Sequence, residues 1–270
     1  MEGASRNSLA AARAELDRVT SIPPGAAPDA GIAAARRLAE DLSAVAALVG
    51  AEPALRRALT DPGAPAEART ALARRLLSGK VGEPALAVVS VAVSGRWSQP
   101  TDLRRALEEL SIEATLAEAE LADALDDVED ELFRFSRILG QNPQLALALT
   151  NPAAPAQAKF ALIERLLAGR AHPVTVRLAQ QATVDRQYGD IERQLEHFSR
   201  IAAARRGRVV AVARTAIPLD ADQVERLRAA VSRYFGRQIP LQIDLDPSVL
   251  GGVQIRVGDE VVDGTVLRRL

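Results

Sequence analysis

The sequence predicts a mainly α-helical protein with a duplicated helical bundle and a small C-terminal α+β domain. Apolar residues recur at helical spacing from Ser5 to about Arg206. Part of this region is repeated 90 residues later in the same chain. Residues 207–270 change to the alternating pattern that is typical of strands.

Two amphipathic helices are expected at the start of the chain. The first buries Leu9, Ala12, Leu16 and Val19, and a second begins near Ile32. A segment rich in Pro and Gly separates them, which indicates a loop.

The repeat joins residues 52–79 to residues 142–169 without a gap. Sixteen of the 28 aligned positions are identical, including Pro, Leu, Thr and Gly as well as the abundant Ala. Such a match indicates an internal duplication. Two copies are too few for a solenoid, so two related helical bundles are expected.

Each repeat contains the residues that start and stop helices. Pro65 and Pro155 precede predicted helices, and Gly79 and Gly169 are expected to end them in the left-handed conformation. A second echo relates residues 95–110 to residues 185–198.

Residues 101–139 contain neither Gly nor Pro, and their apolar residues alternate steps of three and four. This pattern predicts a single long helix that bridges both copies. We therefore divide the chain into a first helical copy at residues 1–112, a second, partial copy at 113–206 and an α+β domain at 207–270.

The C-terminal domain has its own start and stop residues. A strand is expected over residues 209–213, and Asp220 with Gln223 forms a capping box for a helix that ends near Gly236. Two alternating segments, at residues 241–245 and 253–257, indicate strands. Gly258 and Asp259 are suited to a two-residue hairpin loop.

The composition is that of a soluble globular protein. Hydrophobic residues make up 48% and charged residues 26%, and the net charge of −1 gives no field that would attract nucleic acid. There is no cysteine, and the longest apolar run is far shorter than the roughly 20 residues that span a bilayer. We expect a soluble protein inside the cell that binds no nucleic acid.

No group of residues matches a catalytic, metal or cofactor site. Gly79-Lys80 lacks the other residues of a phosphate-binding loop. The only histidines, His172 and His197, are too few for a convincing metal site. The acidic residues between Asp126 and Glu131 follow the polar side of a predicted helix, so they are interpreted as a solvated face.

The C-terminal sequence closely resembles the delta subunit family of F-type ATP synthases, whose mitochondrial member is the oligomycin-sensitivity-conferring protein. The resemblance rests on the segment DPSVLGGVQIRVGD and the following Val-Asp-Gly-Thr. Thr265 replaces the Ser usual in this family, and the chain is longer than usual by about the 90-residue offset of its repeat. The family positions are Asp246, Pro247, Gly251, Gly252, Gly258, Asp263 and Gly264.

This resemblance implies a non-catalytic stator subunit without cofactors. Family members bind the N-terminal segment of an α subunit of the α/β catalytic head in a groove formed by their first and fifth helices. Their C-terminal domain holds the b-type stalk subunit, so the chain is expected at the cytoplasmic face of the cell membrane, attached only through partner subunits. Carried onto this sequence, the groove residues are Leu9, Ala12, Leu16, Leu86, Val89 and Val93.

Other interpretations remain open at the level of sequence. The same six residues also fit a plain bundle core, and Val174, Leu178 and Gln181 of the second copy are alternative groove residues. A helical scaffold of another assembly is the main alternative function. An enzyme with a site between its domains is the other, and detectable turnover by the isolated chain would favour it.

Overall fold

A computed structural model describes residues 3–21, 28–184, 189–209, 211–235, 241–246, 249, 253–257 and 260–263. These residues form two compact units, one of residues 3–21 and 28–199 and the other of residues 200–263. The first is helical and the second is an α+β unit, which confirms the predicted fold class.

The helical unit contains the predicted series of helices and short turns. They are α1 (Gly3–Thr20), α2 (Pro28–Ala51), α3 (Pro53–Thr60), α4 (Ala66–Leu77), α5 (Glu83–Ser94), α6 (Pro100–Leu121), α7 (Leu125–Gln141), α8 (Pro143–Thr150), α9 (Ala156–Leu167), α10 (Pro173–Val184) and α11 (Ile191–Val209), the last of which continues into the second unit.

The predicted helix starts and stops are confirmed in both repeats. Pro65 and Pro155 stand immediately before α4 and α9. Gly79 and Gly169 follow these helices with φ angles of 72° and 69°, a conformation that a side chain would strain. The two glycines therefore end equivalent helices in the same way.

The repeated positions also occupy equivalent places in the core. Leu42 and Leu132, which are 90 residues apart, are both fully buried. Leu59 is 3% exposed, and its counterpart Leu149 is fully buried. One apolar cluster joins α1 through α6, and α7 to α10 bury their own set of Leu, Val, Ile and Phe side chains. The duplication has thus preserved the packing of the unit as well as its sequence.

The single helix predicted over residues 101–139 is wrong, because the chain turns between α6 and α7. Asp123 has a φ of 55°, the left-handed region. The Ala124 N–H donates to the Ala119 carbonyl at 2.8 Å and the Asp123 N–H to the Glu120 carbonyl at 3.1 Å. These bonds form a Schellman motif in which Asp takes the place usually held by Gly. The turn contains neither Gly nor Pro, and the helical spacing of apolar residues continues across it. The sequence pattern therefore gave no sign of the turn.

Helix α6 is shared by the two copies. It packs against α1 and α2 of the first copy and against α7 and α10 of the second. All residues from Leu110 to Ala119 are buried, as expected of a central helix. The predicted boundary at residues 112 and 113 falls inside this helix, and the division of the helical region there stays a prediction.

The second unit contains a four-stranded sheet in the order β2-β1-β3-β4. The strands are β1 (Ala211–Thr215), β2 (Leu241–Leu245), β3 (Val253–Val257) and β4 (Glu260–Asp263), and α12 (Ala221–Phe235) connects β1 to its parallel neighbour β2. The predicted first strand, at residues 209–213, lies two residues further along the chain than expected. β3 is antiparallel to both β1 and β4.

The predicted capping box of α12 is confirmed. The Gln223 N–H donates to Asp220 Oδ1 at 2.7 Å, and the Asp220 N–H donates to Gln223 Oε1 at 2.9 Å. The predicted hairpin loop, Gly258 and Asp259, lies outside the described residues.

Gly95 is required where α5 meets α1, which gives a first testable prediction. A Cβ at this position would lie 2.5 Å from Ser8 Oγ and 2.7 Å from Ser8 Cβ. We expect Gly95→Ala to lower the free energy of unfolding by about 2 kcal/mol through overpacking. Urea unfolding followed by circular dichroism measures this effect.

Gly140 provides the control. It lies inside α7, and a Cβ added at this position would have no neighbouring atom within 4 Å. Gly140→Ala should therefore raise stability by about 0.5–1 kcal/mol. A Gly95→Ala variant that is as stable as the unsubstituted chain would show that α1 and α5 are not held at this distance.

Candidate functional site

The six predicted groove residues lie in the hydrophobic core. α1 packs directly against α5, and none of the six is more than 6% exposed. The set is Leu9, Ala12, Leu16, Leu86, Val89 and Val93. Their side chains are buried beneath the exposed surfaces of α1 and α5. Contact of these residues with a partner stays a prediction.

The outer face of α5 carries a stripe of small and apolar residues that the sequence reasoning missed. It consists of Pro84, Ala87, Val91 and Ser94, spaced by three and four residues and all at least partly exposed. Because this spacing follows one side of the helix, the four residues form a continuous surface strip. The strip can be recognised only once the opposite side of α5 is known to be buried, and composition alone does not reveal which side that is.

Polar contacts hold the first turns of α1 against the start of α6 and the segment that precedes it. Ser5 Oγ donates to Asp102 Oδ2 at 2.8 Å and accepts from the Ser98 N–H at 2.8 Å. Ser8 Oγ donates to the Arg96 carbonyl at 2.7 Å. These hydrogen bonds fix the position of α1 beside α5.

A partly buried ionic cluster holds the middle of α1 against α6. The Arg13 guanidinium pairs with the carboxylates of Glu109 and Glu113, and the Glu113 side chain is fully buried. Burial raises the pKa of Glu109, because the attraction of Arg13 only partly offsets the loss of water. Ionised Glu109 is therefore less favourable in the folded chain than in the unfolded one, and its contribution to stability falls as pH rises through its pKa.

Arg13 shows the opposite balance. Burial disfavours its charge, but the Glu113 carboxylate, with help from Glu109, outweighs this effect and raises the pKa of Arg13. The paired charges thus hold α1 against α6 where the two helices meet.

The corresponding strip in the second copy is different. Ninety residues after the α5 strip lie Val174, Arg177, Gln181 and Val184 of α10. Val174 and the neighbouring Leu178 are fully buried, and Gln181 is partly exposed. Arg177 pairs with the buried Glu118 of α6, which also binds Arg36 of α2. In the second copy this face is more polar and is crossed by an ion pair.

One residue of the acidic run has a structural role that the sequence analysis did not predict. Asp126, Asp127 and Asp130 are exposed, as expected, but Glu131 accepts hydrogen bonds from the His172 N–H and the Thr175 hydroxyl at the start of α10. The first copy repeats this arrangement with Asp41 and the Gly82 N–H, 2.8 Å apart. In each copy an acidic residue of one helix caps the start of another.

The C-terminal family positions are only partly described. The Asp246 N–H donates to the Thr215 carbonyl at 2.9 Å, which extends the pairing of β2 with β1. Asp263 ends β4 and pairs with Gln254 of β3. Pro247, Gly251, Gly252, Gly258 and Gly264 lie outside the described residues.

Neither a membrane span nor a metal site occurs in the part of the chain that the structure describes. Within it, no helix is long and apolar enough to cross a bilayer. The same residues include no group of three or more His, Cys, Asp or Glu arranged to hold a metal ion.

Comparison with known proteins gives a consistent result. A sequence profile of the ATP synthase delta (OSCP) subunit family matches residues 112–270, more than half of the chain. The ATP synthase subunit delta of Parafrankia sp. (strain EAN1pec) is 73% identical over all 270 residues and 97% of its own length. The subunits of Frankia alni and Streptomyces griseus subsp. griseus are 67% and 46% identical, also over the whole chain and 97% of their lengths.

These matches cover both helical copies and the α+β unit. The full-length coverage of these relatives shows that other delta subunits have nearly the same length as this chain. A scaffold of an unrelated assembly is not favoured. The chain belongs to the ATP synthase delta (OSCP) subunit family.

Proposed function

We propose that this chain joins the catalytic head of the F-type ATP synthase to the membrane-anchored b-type stalk and resists the torque of the rotor. As a delta subunit it is a non-catalytic component of the peripheral stalk. The observation that carries the proposal is the full-length similarity to delta subunits, together with a division into two compact units that suits two separate attachments. We place the chain at the cytoplasmic face of the membrane, held there by its partner subunits.

The head end of the proposal is the α1–α5 pair of the first copy. An amphipathic helix binds well to a groove that offers apolar contacts at helical spacing. The strip formed by Pro84, Ala87, Val91 and Ser94 has this character, and the six core residues beneath it keep α1 and α5 together. We assign the N-terminal segment of an α subunit to this strip.

The second copy is less suited to the same role. The C-terminal half of α6, which begins the second copy, is buried between α2, α7 and α10. The strip on α10 contains Arg177 and Gln181 where the first copy has Ala87 and Val91. Desolvating these polar groups against an apolar helix would be unfavourable. This difference favours the first copy as the head-binding site.

The stalk end of the proposal is the α+β unit. Its sheet carries the two described family positions, Asp246 and Asp263, at strand ends. We assign the end of the b-type subunit to this unit.

The assignment of the α-subunit segment to the α5 strip can be tested by introducing one negative charge into the strip. We expect Ala87→Glu to weaken binding of a synthetic α-subunit N-terminal peptide to the full chain by at least about tenfold, because it puts a carboxylate in the centre of an apolar contact. Isothermal titration calorimetry measures this affinity.

Ala71→Glu on α4 is the matched control, because Ala71 is exposed and lies outside the strip. It should leave the affinity unchanged. Equal affinities for the two variants would exclude the α5 strip as the contact.

The function as a whole is tested by affinity purification of the tagged chain from gently solubilised membranes. Recovery of the α, β and b-type subunits in near-equal amounts is the expected result. Their absence from a preparation in which the chain is folded would contradict the proposal.

A further inference from the structure

The carboxylate of Glu118 is buried on the helix that the two copies share, beneath two arginines whose side chains are 49% and 33% exposed. The residue is 3% exposed. An ionised carboxylate is costly to bury unless charged partners and hydrogen bonds replace the water it loses. The identity of its partners is therefore informative.

Those partners come from opposite copies of the duplication. Arg36 of α2, in the first copy, donates to Glu118 Oε1 from Nη2 at 2.7 Å and from Nε at 3.1 Å. Arg177 of α10, in the second copy, donates from Nη2 to Glu118 Oε2. Each carboxylate oxygen thus binds one guanidinium, and one buried acid connects three helices.

This triad was not inherited from the repeat. The position 90 residues before Arg177 is Ala87, and the position 90 residues after Arg36 is the exposed Asp126. Neither equivalent residue is an arginine, so neither could form the same ion pair with a carboxylate. Their common feature is that both reach Glu118.

We propose that Glu118 is an ionic joint that locks the two helical copies into one rigid body. α6 provides the continuous backbone between the copies, and the triad fixes α2 and α10 against it. A rigid connection suits a subunit that carries torque, and only this consequence depends on the proposed function. The joint itself is a property of the isolated chain.

The shared carboxylate predicts a non-additive response to substitution. After Arg36→Met, Glu118 keeps Arg177, and after Arg177→Met it keeps Arg36. Only the double variant leaves the buried carboxylate without either guanidinium. We expect the unfolding equilibrium constant of the double variant to rise about 10- to 100-fold beyond the product of the two single effects.

The experiment is a double-mutant cycle on the full chain, measured by urea unfolding, with hydrogen exchange of α2 and α10 as a second readout. Faster exchange in both helices is expected in the double variant, with α4 unchanged. If the double variant does not fold, adding Glu118→Met should recover folding, because an apolar side chain no longer needs the arginines. Failure of this recovery would overturn the proposal.

Arg134→Met supplies the control, since Arg134 forms an exposed pair with Asp130. Its effect should add to that of Arg36→Met. If the effects of Arg36→Met and Arg177→Met are also additive, the arginines act independently and Glu118 is not a joint. That result would leave the stalk function untouched, because the measurement involves no partner subunit.

Discussion

Replacing Arg69 by Met is expected to lower the free energy of unfolding by about 3–5 kcal/mol, because several buried carbonyls lose the donors that satisfy them. Arg69 is 5% exposed and uses all five of its N–H groups. They bind the carbonyls of Asp61 and Ala64 before α4 and those of Val93, Ser94 and Gly95 at the end of α5, at 2.7–3.0 Å. Met fills a similar volume but leaves these carbonyls without their donors.

Two further variants make the Arg69 prediction specific. Arg69→Lys should cost about half as much, because an ammonium has three donors without the planar fork. The second copy has Lys159 at the equivalent position, 7% exposed, so this site accepts a lysine. Arg74→Met, on the exposed side of the same helix, should change stability by no more than about 0.5 kcal/mol. Urea unfolding followed by helical circular dichroism compares the three, and equal effects of Arg69→Met and Arg74→Met would contradict the prediction.

Removal of residues 208–270 is expected to abolish binding of the b-type stalk while the helical unit stays folded. The helical unit ends at residue 199, and its core is made by α1 through α11. The truncated chain should therefore bind the α-subunit peptide with unchanged affinity but no longer bind the b-type subunit.

The truncation is checked by circular dichroism, peptide calorimetry and co-purification with the b-type subunit. Ala87→Glu in the full chain is the reciprocal control, since it should weaken the head contact and spare the stalk contact. Stalk association that survives the truncation would show that the two ends have been assigned the wrong way round.

Local sequence chemistry predicted the ends of elements well. Pro65, Gly79, Gly169 and the Asp220–Gln223 box act through bonds within a few residues, so their effect is visible in the sequence. The turn at Asp123 was missed because the left-handed position is held by Asp, which tolerates it at a cost that the packing of α7 and α10 offsets.

The exposed face of α5 could not be predicted for a different reason. Leu86, Val89 and Val93 are apolar and recur at steps of three and four, a pattern that is typical of a core and of a groove. Which side stays open depends on α1, α4 and α6, which lie elsewhere in the chain. The Glu118 triad was hidden for a related reason, because its arginines are 82 and 59 residues away.

The sharing of α6 by both copies has a consequence for how such a chain can change length. Inserting one residue in an α-helix turns everything beyond it by about 100°, and only additions of about seven or eleven residues restore the original direction. A single insertion in α6 before Glu118 would rotate the second copy relative to the first and separate Glu118 from Arg36. The turns at residues 61–65 and 151–155 carry no such restriction. The duplicated chain therefore has a fixed angular phase between its halves, which evolution can alter only in whole helical repeats.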